Sequence, residues 1–312
     1  MKKKIIITGS SGFIGSALVK WLHRKYEIYG IDRRPPSDEL FNIKDFRHYQ
    51  YDIVDKLPNL QMNGEIYAVI HLAARPGVRD SRENFEGVCR DNILGTQRIL
   101  DKCVDDWKPE MLLLASSSSV YGDNGSDGHP LKETDAVNPR SPYAMSKLAD
   151  EMLMHTYMNS GLLDGIACSA LRFFTVFGPN QRNELSIRAF TDWILRDEPI
   201  TLYGTGEQLR DFTHIDDICS GIETLLDEDM IPHLSSIHNI GSGDSHSINE
   251  IIHFIGTYLQ KEVKINYQPR NIFDVDRTLA DISRMKDLRW HPKVDFWDGL
   301  RGQIEWQKEQ MK

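Results

Sequence analysis

Apolar residues fall in short runs that recur through the first half of the chain. Ile5-Ile6-Ile7, Glu27-Ile28-Tyr29-Gly30-Ile31, Val69-Ile70-His71-Leu72 and residues 111–115 are each only a few residues long. Several are rich in β-branched side chains, which predicts strands buried in a parallel sheet. Between them lie stretches of helical period, residues 16–26 and 144–157. The alternation continues to about residue 172 and predicts an α/β fold built on a doubly wound parallel sheet. Beyond that point the pattern is less regular. Helices are expected over 186–196 and 248–258, and strands over 200–203 and 263–267. We read residues 1–172 as one domain, with segments near 212–240 returning to it. Residues 173–211 and 241–312 form a smaller C-terminal α/β substrate lobe, expected to cap the carboxyl ends of the strands, where such folds bind ligands.

The chain has 312 residues, 40% hydrophobic and 27% charged, with a net charge of −9. This acidic balance argues against a nucleic-acid or membrane-surface partner. An anionic ligand held by local arginines remains compatible with it. The four cysteines, Cys89, Cys103, Cys168 and Cys219, show neither C-x-x-C spacing nor grouping with His. They read as buried free thiols of a reducing compartment, and no metal site is expected. The apolar run after the amino-terminal lysines is too short for a secretory segment, and no stretch approaches a membrane span. A cytoplasmic location follows as an expectation.

The first strand runs into Thr8-Gly9-Ser10-Ser11-Gly12-Phe13-Ile14-Gly15, and a helix follows. Gly9, Gly12 and Gly15 allow a tight turn and close approach of backbone to a pyrophosphate. The helix start supplies N–H groups and a positive dipole. Asp32 ends the second strand, where a carboxylate accepts from the adenosine ribose hydroxyls. It favours NAD over NADP, although Arg33 and Arg34 follow it immediately. Further on, Ser141-Pro142-Tyr143-Ala144-Met145-Ser146-Lys147 sets Tyr143 and Lys147 one helical turn apart, on one face. A nearby cation favours a phenolate, which can exchange a proton with a sugar hydroxyl. By itself, Tyr-x-x-x-Lys is common on surface helices.

The G-x-x-G-x-x-G spacing resembles the extended short-chain dehydrogenase/reductase family, whose dinucleotide domain is of the Rossmann type. Other pieces of the family occur in order. Asp52-Ile53 resembles its adenine contact, Leu72-Ala73-Ala74 its small-residue turn beside the dinucleotide, and Asn92-x-x-Gly95-Thr96 its asparagine helix. The resemblance implies bound NAD, a homodimer, and a catalytic set of Tyr143, Lys147 and Ser117. Tyr143 is the acid/base, Lys147 holds the nicotinamide ribose, and Ser117 bridges Tyr143 and substrate. In the family's 4,6-dehydratases the next two positions are Asp and Glu. Here they are Ser118 and Ser119, which cannot act as carboxyl acids, and this favours epimerisation.

Leu171-Arg172-Phe173-Phe174-Thr175-Val176-Phe177-Gly178-Pro179 resembles the nucleotide-sugar branch. Thr175, followed by Arg182, resembles UDP-glucuronate 4-epimerases, where serines, threonine and arginine surround the sugar carboxylate. The chemistry suits a carboxylate. The chain departs from that branch at Asn183-Glu184-Leu185, where it usually has Pro-Asp-Met, and at Phe273, where it has Gly. Arg79, Arg210 and Arg270 are candidate contacts to the UDP diphosphate or sugar, and His214 and Asp281 read as structural. The implied reaction is 4-epimerisation of UDP-glucuronate to UDP-galacturonate through a 4-keto intermediate. UDP-glucose or UDP-N-acetylglucosamine epimerisation, UDP-glucuronate decarboxylation and a non-catalytic NAD-binding regulator stand as alternatives.

Overall fold

The computed structural model describes residues 2–55, 57, 60, 64–234 and 236–311. Its centre is a seven-stranded sheet in which every neighbouring pair is parallel. Strands β1 (Lys4–Thr8), β2 (Glu27–Asp32), β3 (Phe46–Gln50), β4 (Ile66–His71), β5 (Met111–Ser117) and β6 (Ala167–Phe173) lie in the order 3-2-1-4-5-6. The apolar runs become strands because both faces are covered. Ile5, Ile6 and Ile7 are all fully buried, Ile5 and Ile7 against one face and Ile6 against the other. The strand order reverses between β1 and β4, and this crevice is where a doubly wound sheet receives ligands.

The later strands are β7 (Thr175–Phe177), β8 (Ile200–Tyr203), β9 (Leu209–Arg210), β10 (Phe212–His214), β11 (Ile237–Ile240), β12 (His246–Ser247) and β13 (Ile265–Gln268). β11 returns to the main sheet and pairs with β6, from Ile237 against Ala170 to Ile240 against Phe173. β7 pairs with β10, β9 with β12 and β8 with β13. A separate apolar cluster, including Phe177, Phe190, Leu202, Ile251 and Leu300, fills the lobe around these short pairs.

Several boundaries differ from expectation for local reasons. The first helix is Phe13–Leu22 rather than 16–26. Gly12 ends the loop in an extended conformation as its N-cap, so helical turns start at once. The last strand begins at Ile265, not 263, because Val263 closes under Gly256 at the end of the Ile248–Leu259 helix. The helix Phe296–Gln310 was not anticipated. Asp295 caps it by accepting from Trp297 N (3.0 Å) and Asp298 N (3.1 Å), and Phe296, Leu300 and Ile304 bury its inner face. Among the described residues, no helix is long and apolar enough to cross a membrane.

Candidate active site

One cavity of about 1170 Å³ runs from the glycine loop, past the carboxyl ends of the strands, into the lobe. Gly9, Gly12, Phe13, Ile14, Gly15, Asp32, Asp52, Ile53, Leu72, Ala73 and Ala74 line one part of it. The loop has no room for side chains. Gly9 has φ +73, and a Cβ there would lie 2.8 Å from Ala73 N; one at Gly15 would lie 2.1 Å from Gly9 O. Glycine is the residue that meets both demands. The Asp32 carboxylate accepts from Ser11 N (3.0 Å) and Arg34 N (2.9 Å), which fixes it at the loop. Arg33 turns aside to Asp91 at 3.0 Å, so it does not offer a free cation beside Asp32. Asp52 is engaged by Arg90 at 3.1 Å. Loop, carboxylate and cavity thus fit a dinucleotide.

Asn92, a candidate cofactor contact by the family resemblance, stands behind the site. It does not line the cavity and is fully buried. Its Oδ1 accepts from Arg75 N (2.6 Å), and its Nδ2 donates to Arg75 O (3.1 Å) and Ser146 Oγ (2.8 Å). It braces the turn after β4 against the helix that carries Tyr143, and so acts on the site from behind.

That helix spans Pro142–Asn159. Ser141 is its N-cap, accepting from Ala144 N at 3.1 Å, and Pro142 opens it with a pre-set φ. Tyr143 and Lys147 therefore leave its first turns together, and both line the cavity. Among the described residues no group pairs with the Tyr143 hydroxyl. Lys147 is buried, with its Nζ 3.1 Å from the Asp150 carboxylate. Ser117, at the end of β5, accepts from Ser119 N (3.2 Å) and Ser119 Oγ (2.9 Å). Ser117, Ser118 and Ser119 all line the same cavity.

Behind these residues lies a polar layer that the sequence reading missed. Thr8 Oγ1 lies 2.6 Å from His71 Nδ1, and Thr96 Oγ1 lies 3.1 Å from His71 Nε2. Burial, with the nearby Lys147 ammonium, pushes the His71 pKa down to about 3. Burial raises the pKa of Asp150, while Lys147 opposes the rise. Glu151 takes a bidentate pair from Arg172 (2.9 and 2.8 Å) and the hydroxyl of Ser116. This ties the Tyr143 helix to β5 next to Ser117. The signal was local: acids stand three and four residues after Lys147, which puts them on its helix face.

Thr175, Arg182 and Arg210 of the lobe, with Arg79 of the first domain, line the cavity. Arg182 Nη1 pairs with Glu184 at 2.9 Å. Arg79 lies over the Tyr203 ring (4.5 Å) and 3.3 Å from Asp274. Arg210 donates to the carbonyls of Leu209 (2.8 Å) and Asp276 (3.4 Å), and among the described residues no carboxylate forms an ion pair with it. Burial, together with Arg270 and Arg79, lowers its pKa, while Asp274 and Asp276 raise it. A cation in that position gains from an anionic ligand. Arg270, the remaining candidate contact, is half exposed near Arg210. It pairs with Asp276 at 2.6 Å and does not line the cavity. His214 caps the Ile215–Leu225 helix by accepting from Asp216 N (3.2 Å), and Asp281 Oδ1 accepts from Ser283 N (2.9 Å), both structural contacts.

Residues 5–241 match the NAD dependent epimerase/dehydratase family. The chain belongs to this family. It is 36% identical to a UDP-glucuronate 4-epimerase of Thermodesulfobacterium geofontis, over 98% of this chain and 97% of that one. Among solved structures it is similar to a UDP-glucuronic acid 4-epimerase from Bacillus cereus in complex with UDP-glucuronic acid and NAD. The TM-score is 0.90 at 33% identity, with 98% of this chain and 99% of that chain covered. It is also similar to a UDP-N-acetylglucosamine 4-epimerase from Methanobrevibacter ruminantium, with a TM-score of 0.89 at 29% identity over the full length of both. The chain is an NAD-dependent UDP-sugar 4-epimerase, an isomerase, and its fold is the Rossmann-type sheet of that family.

Proposed function

We propose that the preferred substrate is UDP-glucuronate and the product UDP-galacturonate. The observation that carries this reading is the set of hydroxyls and one guanidinium, Ser118, Ser119, Thr175 and Arg182, lining the cavity that holds Tyr143. Hydroxyl donors and a planar cation suit a sugar carboxylate. With serines at 118 and 119 in place of acids, nothing there would drive elimination.

NAD, when bound, supplies the reversible acceptance of hydride from C4 of the sugar. Tyr143 takes the proton of the 4-hydroxyl as the 4-keto sugar forms, and returns it to the opposite configuration. Ser117 orients that hydroxyl. Lys147 binds the nicotinamide ribose hydroxyls, and Asp32 the adenosine ribose. Gly9, Gly12 and Gly15 present backbone to the pyrophosphate. Arg210 and Arg79 neutralise the UDP diphosphate. Hydrogen bonds to the carboxylate hold the β-keto acid intermediate away from the geometry that expels CO₂.

We read the protein as a cytoplasmic homodimer. Leu94 and Met152 stand exposed on the neighbouring helical segments Cys89–Leu94 and Pro142–Asn159, which supports a second copy packing there. The two-lobe division at residue 172, with the 212–240 segment joined to the first lobe, is supported by β11 pairing with β6.

Incubation of purified protein with UDP-glucuronate, UDP-glucose and UDP-N-acetylglucosamine separately, with product chromatography and CO₂ trapping, tests the substrate. UDP-galacturonate as the main product is expected. Faster turnover of a neutral sugar, or CO₂ release, would replace the reading. Epimerisation of a neutral UDP-sugar is the second reading, favoured by the Glu184 carboxylate that occupies Arg182.

A further inference from the structure

Arg182 and Glu184 stand in the segment between β7 and the Ser186–Leu195 helix. A buried glutamine fixes this segment. Gln181 Nε2 donates to Val176 O (2.9 Å), and its Oε1 accepts from Arg188 N (3.1 Å) and Gln303 Nε2 (2.7 Å). Leu185 N then donates to Arg182 O (3.1 Å), closing a turn across which Glu184 Oε1 meets Arg182 Nη1 at 2.9 Å. The two side chains are 30% and 60% exposed, and both residues line the cavity shared with Ser118, Ser119 and Thr175. The turn is anchored on both sides, but the ion pair itself is solvent-exposed at the cavity wall and free to open.

A carboxylate already resting on the cation that a sugar carboxylate would seek is a competitor built into the chain. We infer that Glu184 is a specificity-determining residue: it occupies Arg182 in the empty site, must be displaced by an incoming uronate, and thereby narrows the preference for UDP-glucuronate over neutral UDP-sugars. This rests on the uronate reading of Arg182 above. Two effects act in the same direction. The substrate's carboxylate has to replace an existing ion pair, and the released Glu184 leaves a like charge close by. A neutral sugar needs neither step. Glu184 holds no part of the substrate. Its influence runs wholly through Arg182.

Glu184→Gln keeps length and shape while removing the charge. Isothermal titration of the NAD-loaded protein with UDP-glucuronate and with UDP-glucose measures the effect directly. Exposed ion pairs of this kind correspond to roughly two- to five-fold in an equilibrium constant. E184Q is expected to tighten UDP-glucuronate by about that factor and to leave UDP-glucose unchanged. The gain should vanish when Arg182→Ala is added, since no cation is then left to free. Unchanged uronate affinity in E184Q, an equal gain for both sugars, or a gain that survives in the double variant overturns the inference. Conversion assays separate the two claims. Wild-type protein that binds UDP-glucuronate without epimerising it would refute the proposed substrate while the affinity shift still decides the role of Glu184. No measurable uronate binding by either protein overturns both.

Discussion

Lys147 and Asp150, three residues apart on one helix, form an ion pair of 3.1 Å in which both side chains are almost fully enclosed. The lysine that would bind the cofactor ribose is thus held from beneath by a carboxylate that water does not reach. Removing one member of a buried pair leaves the other charge uncompensated, at a cost of roughly 3–5 kcal/mol. Asp150→Ala is expected to lose about that much stability in urea unfolding and to lower kcat, because the ammonium is no longer held in place. Unfolding superimposable on wild type would contradict this account.

His71 predicts a dependence on acid. In the unfolded chain an imidazole takes up a proton near pH 6.5, whereas burial delays this in the fold to about pH 3. The folded-state pKa is depressed, so the stability it contributes is present above about pH 6.5 and is lost as pH falls toward 3. The slope is up to ~1.4 kcal/mol per pH unit. His71→Gln also changes the overall level of stability, so the slope is the quantity to read. Unfolding free energies at pH 7.5 and pH 5.5 should differ less in H71Q than in wild type. Equal differences would show that His71 does not carry the effect.

Tyr143→Phe removes the hydroxyl while preserving the ring against the cavity wall. Loss of a general acid/base costs roughly 10²–10⁴-fold in rate. That loss is expected in kcat, with UDP-sugar affinity nearly intact. Ser117→Ala should retain more activity, because the tyrosine hydroxyl itself remains. Near-normal turnover by Y143F would exclude the mechanism.

Asp32 and Asp91 divide the choice of dinucleotide between them. Asp32→Ser should weaken NAD binding by roughly 1.5–3 kcal/mol, the worth of hydrogen bonds to a charged group. It should add little NADP binding by itself, since Arg33 stays paired with Asp91 and Arg34, 3.7 Å from Asp32, still donates to Ser11 O (3.2 Å). Adding Asp91→Asn releases Arg33 and is expected to bring measurable NADP binding. Fluorescence titration of both dinucleotides checks this, and NADP binding as strong in the single variant as in the double would argue against the role given to Asp91.

The parts of the fold legible from sequence are those encoded over short spans. The run Ile5-Ile6-Ile7, the glycine loop and Asp32 lie within one strand, turn, helix, strand unit, and each piece limits the next. Tyr143 and Lys147 were legible because one helical turn relates them. Of the residues that escaped notice, Asp150 and Glu151 stand within one helical turn of Lys147, and the others depend on contacts distant in sequence. His71 matters through Thr8 and Thr96, which local periodicity does not connect. Asn92 was recognised, yet its buried bonds to Arg75 and Ser146 decide that it supports the site rather than lining it. Arg270 carries the right charge but spends it on Asp276. The helix Phe296–Gln310 has only a sparse apolar stripe, and it is packing against the lobe core that gives it its inner face.

The return of β11 to the edge of the main sheet has a practical consequence for anyone building hybrids of this enzyme. The cofactor half is not a contiguous stretch of chain, because its outermost strand is supplied by residues 237–240, after β7 to β10 have been laid down. A fragment cut after β6 would leave that flank of the sheet uncovered, its backbone donors and acceptors open to another chain. Exchanging sugar-binding halves between relatives therefore requires three crossovers, one after β6 and one on either side of the segment that ends in β11, and a single splice would transplant the substrate lobe together with part of the cofactor scaffold.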